Sequence, residues 1–558
     1  MIKKILKSRL FFPLLILAVV CLFFSFNANK YYRFPVIDYI EPAVAYPGET
    51  ITIIGAHFGD SRKGAEVRIA GERPLSYSYR LWSDNEIIVE VPSDVGSGMV
   101  TVNGRRGISN SVLFTNREHI PVILTGPQKP GYPYMEHVEP VNGAVGSMIT
   151  LSGLNFGHER GVAAVYFTAA GIADAVSSQN TLSGMIECSE IDYDYESWDE
   201  QQINVYIPDG ASSGNIRIKT DRGISNALYF EVTGNAGTKS FGDKMGFQVE
   251  YGIDVSGAES DVGNDAENTA SNGLDLWVPA VRHDLSQRNV ETVTEPLPLW
   301  DNYLGLMRYH FDALVPGETY KVSVKSWLER HAIETRIVSS RVKTLYNEER
   351  KLYRIYTAAE TMIPSENADI ITAAAKAAGR ERNPFLKARA IYKYLLKNLE
   401  YKTKPSSSSV IKNLADGEAD SYSYSILFAA MCRASGIPAR PKAGILVYNN
   451  KQSINHYWAE FYIEGFGWIP VDTALGDGAR FGNFPIDEEI DPVEYYFGNL
   501  DCHHITLTKG IVPVKQIDPQ GRISGRKGLY SLQTIYEEST GLSSYSSYWR
   551  AVRIIDWW

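Results

Sequence analysis

The chain has 558 residues, of which 44% are apolar and 22% are charged, and its formal net charge at pH 7 is −10. This length predicts several domains, and the composition is that of a globular protein rather than a disordered or fibrous one. The negative net charge argues against nucleic acid as a partner, because phosphate binding requires a basic face.

The chain begins with a segment typical of an export signal. Four basic residues precede the apolar run 10–26, and this order of charge and hydrophobicity directs a chain to the membrane. No clear small-residue cleavage site follows, so the sequence favours an uncleaved signal anchor over residues 1–30. A cleaved signal and a lipidated Cys21 are the alternatives. In each case we expect the remainder to be exported, to the periplasm or the cell surface.

Beyond this segment the sequence contains only three cysteines, which are Cys188, Cys432 and Cys502. They lie far apart and are odd in number, whereas exported proteins built on disulfides carry more cysteines at closer spacing. We therefore expect ordinary hydrophobic cores to hold the fold together.

The first half of the chain contains an internal repeat. Residues 40–59, IEPAVAYPGETITIIGAHFG, match residues 138–157, VEPVNGAVGSMITLSGLNFG, at an offset of 98. Later landmarks, among them Trp82 and Trp198, match at an offset of 116. The second copy therefore carries 18 extra residues, which we place as a loop within 168–197.

Each copy has the pattern of a small β-sandwich. Short alternating runs such as EIIVEVP and QINVYIP end in proline and are separated by turn residues, which predicts a sandwich of about 90 residues. Over 34–116 and 132–233, the order of proline, glycine turn, alternating strand and G-x-x-F-G resembles the IPT/TIG immunoglobulin-like modules. This resemblance implies a stalk that holds the rest of the chain away from the membrane, with direct ligand binding as the alternative.

A third β region is predicted at 243–346, after a linker at 234–242. FQVEYGIDV, LDLWVP and YKVSVKSW are strand-like, and a long polar loop lies between the first two. The acidic residues of this loop do not follow the spacing of a calcium-binding loop. We therefore expect a sandwich-like domain without calcium.

From about residue 350 the pattern becomes helical. Ala388, Ile391, Leu395 and Leu399 recur at helical spacing and mark one buried face. The next two segments are GEADSYSYSILFAAMCRASGIPAR, at 417–440, and NHYWAEFYIEGFGWIPVD, at 455–472.

These two segments resemble the catalytic segments of transglutaminase-like domains, and this resemblance implies catalytic positions at Ser421, His456 and Asp472, which physical reasoning supports. Ser421 opens a predicted helix, where the positive end of the helix dipole would activate a nucleophile. His456 lies on an alternating strand, and a turn near 465–467 brings Asp472 back beside it. Nucleophile, base and orienting acid are the parts of a catalytic triad.

The same segments resemble transglutaminase-like domains, which are related to papain-type enzymes. The resemblance covers about 350–510, and it leaves residues 511–558 as a C-terminal extension. It implies an α+β domain with catalytic positions at Ser421, His456 and Asp472. In that family the first of these positions is a cysteine.

Serine at position 421 changes the expected chemistry, because a hydroxyl is a far weaker acid than a thiol and does not form a stable ion pair with histidine. Cys432 lies about three helical turns further on, or ~16 Å away, and cannot replace it. Cys502, His503 and His504 are adjacent, so their side chains would alternate between the two faces of a strand. We therefore predict no metal site and no cofactor.

The sequence thus predicts a multidomain chain with an N-terminal membrane anchor, two IPT/TIG-like β-sandwiches, a third sandwich-like domain and an α+β transglutaminase-like domain. Three functions fit this organisation. The first is a non-catalytic pseudoenzyme that binds a peptide, a protein or a cell-wall polymer. The second is a hydrolase of amides or esters that uses the triad of Ser421, His456 and Asp472. The third is a purely architectural protein at the cell surface.

Overall fold

The structure is a computed structural model, and the chain divides into two compact units, Met1–Leu124 and Thr125–Trp558. The described residues are 13, 16–21, 34–93, 95–105, 107–117, 130–170, 182, 184–234, 236–260, 272–448, 451–481, 484, 490–527, 531–532 and 534–558.

Most of the predicted anchor at 1–30 lies outside the described residues; residues 13 and 16–21 of it are helical. Within the described part of the chain, no helix has the length and apolar character needed to cross a bilayer.

The first unit contains the first copy of the repeat as a two-sheet β-sandwich. One sheet has the strand order β1-β3-β6-β5 and the other the order β2-β9-β7-β4, with β8 paired to β7. The alternation along β3 places Ile51 and Ile53 in the core between the sheets. The strands are β1 (Val36–Glu41), β2 (Val44–Ala45), β3 (Thr50–Ala56), β4 (Glu66–Ile69), β5 (Tyr79–Trp82), β6 (Glu86–Glu90), β7 (Gly98–Gly104), β8 (Gly107–Ile108) and β9 (Val112–Asn116), with a 3-10 helix at Ser76–Ser78.

The second copy has the same strand order in its own two sheets, β10-β12-β16-β15 and β11-β19-β17-β13-β14, with β18 paired to β17. The strand β14 is an addition to the edge of the second sheet. The strands are β10 (Tyr134–Glu139), β11 (Asn142–Ala144), β12 (Met148–Leu154), β13 (Ala164–Ala169), β14 (Met185–Glu187), β15 (Tyr195–Trp198), β16 (Gln202–Tyr206), β17 (Ala211–Thr220), β18 (Gly223–Ile224) and β19 (Leu228–Thr233).

The two tryptophans occupy equivalent places in the two copies, as the repeat alignment predicts. The Trp82 indole N–H donates to the Gly59 carbonyl at 3.0 Å, and the Trp198 indole N–H donates to the Phe156 carbonyl at 3.1 Å. Each tryptophan packs against a tyrosine three residues earlier in its strand.

The first glycine of the G-x-x-F-G motif is required for the same structural reason in both copies. A Cβ at Gly55 would collide with the carbonyl of Val36, and a Cβ at Gly153 would collide with the carbonyl of Tyr134. The motif therefore marks a close approach between neighbouring strands that only glycine allows.

The extra segment of the second copy is not the simple loop expected from the sequence. It forms the edge strand β14 and then a turn that contacts the α+β domain through Ile191, Asp192 and Asp194. Residues 171–181 and 183 lie outside the described residues.

The third β region begins earlier than predicted, because residue 237 of the expected linker already belongs to a strand. The long strand β20 pairs with β25 along most of its length. The strands are β20 (Gly237–Ser260), β21 (Gly273–Pro279), β22 (Gln287–Glu295), β23 (Trp300–Tyr303), β24 (Leu306–Asp312) and β25 (Thr319–Ile337), followed by a 3-10 helix at Ser339–Arg341. Most of the predicted polar loop, 261–271, lies outside the described residues.

An α+β domain follows, with the sheet order β30-β29-β28-β31 and the parallel pair β26 and β27. The helix α5 packs against β28 and β29 and is buried along most of its length. The helices are α1 (Lys351–Thr357), α2 (Ala368–Ala378), α3 (Pro384–Asn398), α4 (Val410–Asp416), α5 (Ser421–Ala434), α6 (Thr473–Gly476) and α7 (Pro492–Tyr495). The strands are β26 (Glu400–Tyr401), β27 (Glu418–Ala419), β28 (Ala439–Tyr448), β29 (Gln452–Ile463), β30 (Gly467–Val471) and β31 (His504–Lys509).

The C-terminal residues do not form a separate extension, which corrects the sequence interpretation of 511–558. The strands β32 (Arg522–Lys527), β33 (Thr534–Thr540) and β34 (Leu542–Trp557) return to the third sandwich. Its sheets have the orders β22-β25-β20-β34 and β23-β24-β21-β33-β32. The α+β domain is therefore inserted between the strands of this sandwich.

Candidate functional site

Ser421 is the first residue of α5, as the sequence predicts. The helix is capped by Asp420, whose carboxylate accepts a hydrogen bond from the Ser423 backbone N–H at 2.7 Å. Such a cap satisfies a helix-terminal N–H that has no partner within the helix. Ser421 thus lies at the positive end of the helix dipole, and only 7% of its surface is exposed.

His456 and Asp472 are brought together by the β29–β30 hairpin. Ala459 of β29 pairs with Val471, the last residue of β30. Asp472 directly follows β30, which lies beside β29, the strand that contains His456. Asp472 also caps α6, because its Oδ1 accepts a hydrogen bond from the Leu475 backbone N–H at 2.9 Å. This cap fixes the carboxylate in one orientation.

The histidine and the aspartate form a short, buried hydrogen bond. His456 Nε2 lies 2.6 Å from Asp472 Oδ2, and both side chains are fully buried. Burial by itself would raise the pKa of Asp472, but the charges and hydrogen bonds of His456 and His504 outweigh it and hold that pKa well below its usual range.

The third member of the predicted triad does not join this pair. His456 Nδ1 is buried and has no hydrogen-bond partner among the described residues, so it does not bond to the Ser421 hydroxyl. The structure therefore brings base and orienting acid together but leaves the serine unengaged.

A second histidine, His504, also bonds to Asp472, and the sequence analysis did not assign it to the site. His504 Nε2 lies 3.0 Å from Asp472 Oδ2, and His504 Nδ1 lies 2.8 Å from Asp501 Oδ1. The sequence does contain the D-x-x-H spacing of Asp501 and His504 at the start of β31. This spacing alone does not indicate a contact with Asp472, which arises because the sheet places β31 beside β28.

The comparisons with known proteins identify two regions of the chain. Residues 371–473 match the model of the transglutaminase-like superfamily. This part of the chain is transglutaminase-like. Residues 35–115 match the model of the IPT/TIG domain. These matches confirm the transglutaminase-like resemblance and, for the first copy of the repeat, the IPT/TIG resemblance.

One relative is an uncharacterized protein of Haemophilus influenzae, which is 32% identical over 159 residues. That alignment covers 23% of this chain and 43% of the relative, so the chain spans less than half of the relative's length.

Two solved structures show weaker likenesses. A candidate cysteine protease from Cytophaga hutchinsonii has 15% identity and a TM-score of 0.36, covering 57% of this chain and 93% of that one. The protein SGBP-B from a complex xyloglucan utilization locus in Bacteroides uniformis has 13% identity and a TM-score of 0.13, covering 54% and 99%. TM-scores this low do not establish a shared overall fold.

In the transglutaminase-like domain, the ligand atoms of His456, Asp472 and His504 lie within 4.8 Å of one another. A cluster of this composition can resemble a metal centre. The two nitrogen–oxygen distances, 2.6 and 3.0 Å, are those of hydrogen bonds. A cation here would have to replace both bonded protons, so we interpret the cluster as hydrogen-bonded.

A cavity of about 440 Å³ lies in the same domain, and its lining includes none of Ser421, His456 and Asp472. The Phe481 ring lies 5.2 Å from the ring of His456 and 5.6 Å from the ring of Tyr401, which lines the cavity. The cavity lining is Leu399, Glu400, Tyr401, Thr403, Asp477, Gly478, Ala479 and Arg480. We call this cavity the groove; the ring of Phe481 contacts both its lining and the fully buried His456.

Two residues of the sequence motifs, Arg440 and Trp468, hold domains together. Arg440 pairs with Glu460 across β28 and β29 at 2.6 Å and with Asp192 of the second repeat, also at 2.6 Å. The Trp468 indole N–H donates to the same Asp192 at 3.0 Å. These motif residues therefore attach the extra segment of the second repeat to the transglutaminase-like domain.

The cysteines of the described domains offer no substitute nucleophile. Cys188, Cys432 and Cys502 are free and buried. Burial raises the pKa of each thiol, which disfavours the reactive thiolate.

Proposed function

We propose that the transglutaminase-like domain is a pseudoenzyme that binds a peptide or a cell-wall polymer in the groove beside His456, without turnover. The observation that carries this proposal is the state of His456. Its Nε2 is held by Asp472 at 2.6 Å, whereas its buried Nδ1 has no partner among the described residues.

The unpartnered nitrogen defines what a ligand must offer. When the N–H of a neutral imidazole donates to Asp472, the other ring nitrogen is an acceptor. A buried acceptor without a partner costs free energy, about 1–3 kcal/mol, which a ligand would recover. A backbone amide N–H or a sugar hydroxyl supplies the matching donor, and peptides and wall polymers carry such groups.

The position of serine favours binding over turnover. Ser421 lies at a helix N-terminus, where a thiol would be activated, but its hydroxyl makes no hydrogen bond to His456. A general base must come within hydrogen-bond reach of the proton that it abstracts, and in this structure His456 is not hydrogen-bonded to the Ser421 hydroxyl. The short His456–Asp472 bond is the one observation that favours a serine hydrolase instead, because a hydrolase also needs it.

The proposal also includes the cellular location of the protein. We place the protein outside the cytoplasm and attached to the membrane through residues 1–30, because basic residues followed by an apolar run occupy its N-terminus. The IPT/TIG repeats would then act as the stalk of the transglutaminase-like domain.

The test is binding of labelled peptides and soluble wall fragments to the full chain, with turnover followed in parallel. We expect binding without turnover, and we expect His456→Ala to weaken it. His137→Ala, which changes an exposed histidine of the second repeat, is the matched control and should leave binding unchanged.

Two results would contradict the proposal. If His456→Ala and His137→Ala change binding equally, the ligand does not bind at the His456 site. Acylation of the wild type by a fluorophosphonate probe, abolished by Ser421→Ala, would replace the pseudoenzyme with the serine hydrolase.

A further inference from the structure

His504 lies between two carboxylates in the interior of the transglutaminase-like domain. Its Nε2 faces Asp472 Oδ2 at 3.0 Å and its Nδ1 faces Asp501 Oδ1 at 2.8 Å. The His504 side chain is fully buried. Each ring nitrogen therefore has a carboxylate oxygen at hydrogen-bond distance.

This arrangement determines the protonation of the ring. A neutral imidazole has one N–H donor and one acceptor nitrogen, whereas an ionised carboxylate can only accept. In the neutral form, one ring nitrogen would turn its lone pair toward a carboxylate oxygen. The imidazolium form satisfies both contacts and neutralises one of two buried negative charges.

Both carboxylates are themselves held in the ionised form. Asp501 accepts the His503 backbone N–H at 2.9 Å on Oδ1 and the Tyr496 hydroxyl at 3.0 Å on Oδ2. Burial by itself raises the pKa of Asp501, but His504 and the other donors outweigh it and lower that pKa to about 2.

The other groups near His504 do not change this balance. The Arg330 guanidinium of β25 donates to the backbone carbonyl of His504. The ring of His456 lies 5.6 Å from the ring of His504, and the indole of Trp458 lies 5.2 Å away. Burial lowers the pKa of His504, but Asp501 and Asp472 outweigh it and raise the value to about 9.

We propose that His504 is a positioning residue, a buried imidazolium whose two N–H groups join Asp472 to Asp501 and keep Asp472 ionised and turned toward His456. His504 does not face the groove through either nitrogen and acts only through Asp472. The hydrogen-bonded chain is thus Asp501–His504–Asp472–His456, and it ends at the buried Nδ1 of His456.

The first test is NMR of the full chain labelled at histidine Cε1. We expect one histidine signal, absent from His504→Gln, to keep the position of an imidazolium from pH 6 to 8 and to titrate only near pH 9. A His504 signal that titrates near 6.5, the ordinary value for histidine, would overturn the proposal. In Asp501→Asn the same signal should titrate at lower pH, because one carboxylate charge is lost.

The second test reads the effect on His456. The proton shared by His456 and Asp472 is buried in a 2.6 Å bond and should give a far-downfield signal that is absent from His456→Ala. We expect His504→Gln to keep this signal, because the glutamine amide still donates to Asp472, and His504→Leu to lose it. Equal behaviour of the two folded variants would show that His504 only fills space. If His504→Leu does not fold, the test is the pH at which His504 titrates in Asp501→Asn. A value equal to that of the wild type would overturn the proposal.

Added Zn²⁺ provides a further arm. The His504 signal is not expected to respond to zinc at neutral pH, because an imidazolium has no free lone pair. Stoichiometric zinc that shifts the His456 and His504 signals together would identify a metal site and overturn the proposal. None of these measurements depends on a ligand, so the proposed binding function and the role of His504 succeed or fail separately.

Discussion

Arg350 of the transglutaminase-like domain pairs with Asp194 of the second IPT/TIG-like repeat, with Nη2 and Oδ1 3.1 Å apart and side-chain exposures of only 2% and 1%. The same guanidinium donates to the Tyr462 hydroxyl at 2.8 Å. A buried contact of this kind fixes the second repeat to the domain that carries the site.

Removal of one partner of this pair should destabilise the second unit strongly. At pH 8, above the pKa of about 7 to which burial raises Asp194, we expect Asp194→Ala to lower the free energy of unfolding by about 3–5 kcal/mol, because it leaves the Arg350 charge buried and without its carboxylate partner. Thermal unfolding of the full chain measures the change. Glu90→Ala in the first repeat is the control, since it breaks the more exposed pair with Arg80, where about 0–1 kcal/mol is expected. Similar effects of both substitutions would contradict the proposed role of the buried pair.

Stability should fall at alkaline pH because of His504. Its pKa is raised in the folded chain to about 9, since Asp501 and Asp472 outweigh the effect of burial. The corresponding stabilisation is complete below about 6.5, the value in an unfolded chain, and is lost as the pH rises to 9. It amounts to about 3 kcal/mol.

The measurement for this effect is the unfolding temperature of wild type and His504→Gln across pH 6 to 10. The difference between the two should shrink as the pH rises. A difference that stays constant over this range would mean that His504 carries no charge in the folded chain.

The position of Ser421 should still activate a thiol. In Ser421→Cys we expect the new thiol to titrate below about 8.5, the ordinary value, because it lies at a helix N-terminus next to the His456 site. Iodoacetamide should then react with it quickly at neutral pH. The wild-type chain supplies the background rate, to which the exposed Cys21 contributes, whereas Cys188, Cys432 and Cys502 are buried and their thiols have raised pKa values.

His456→Ala, added to Ser421→Cys, should raise the pKa of the new thiol and slow its alkylation, because the imidazolium partner is removed. An ordinary pKa that does not respond to His456→Ala would show a decayed site and favour the architectural function.

Deletion of residues 1–30 should release the protein from the membrane. The apolar run 10–26 in this segment follows four basic residues, as expected of a signal anchor. Fractionation of cells that express the full and the shortened chain, each detected with the same tag, measures the effect. Firm membrane association of the shortened chain would reveal another anchor.

Local sequence pattern was sufficient for much of this architecture. The repeat at 40–59 and 138–157 predicted two sandwiches with equivalent tryptophans, because alternation, turns and the close-packed glycine are properties of a few neighbouring residues. The hairpin that joins His456 to Asp472 was also predictable, since only a short turn separates its strands.

Contacts between distant parts of the chain could not be predicted in this way. The strand β34 pairs with β20, about 300 residues earlier, so the C-terminal residues complete the third sandwich. Asp192 and Asp194 lie in an extra segment whose partners, Arg440 and Arg350, belong to another domain. The residue pattern within the C-terminal strands or within the extra segment does not predict these long-range partners.

The sequence by itself therefore predicted the order of the domains and the pairing of His456 with Asp472. Only the tertiary structure showed that the Ser421 hydroxyl is not hydrogen-bonded to His456. It also showed that His504 is hydrogen-bonded to both Asp472 and Asp501. The physical reason is that spacing along the chain sets which residues can share a helix or a hairpin. Hydrogen bonds between side chains depend instead on how the sheet, the helices and the loops pack to within a few tenths of an ångström.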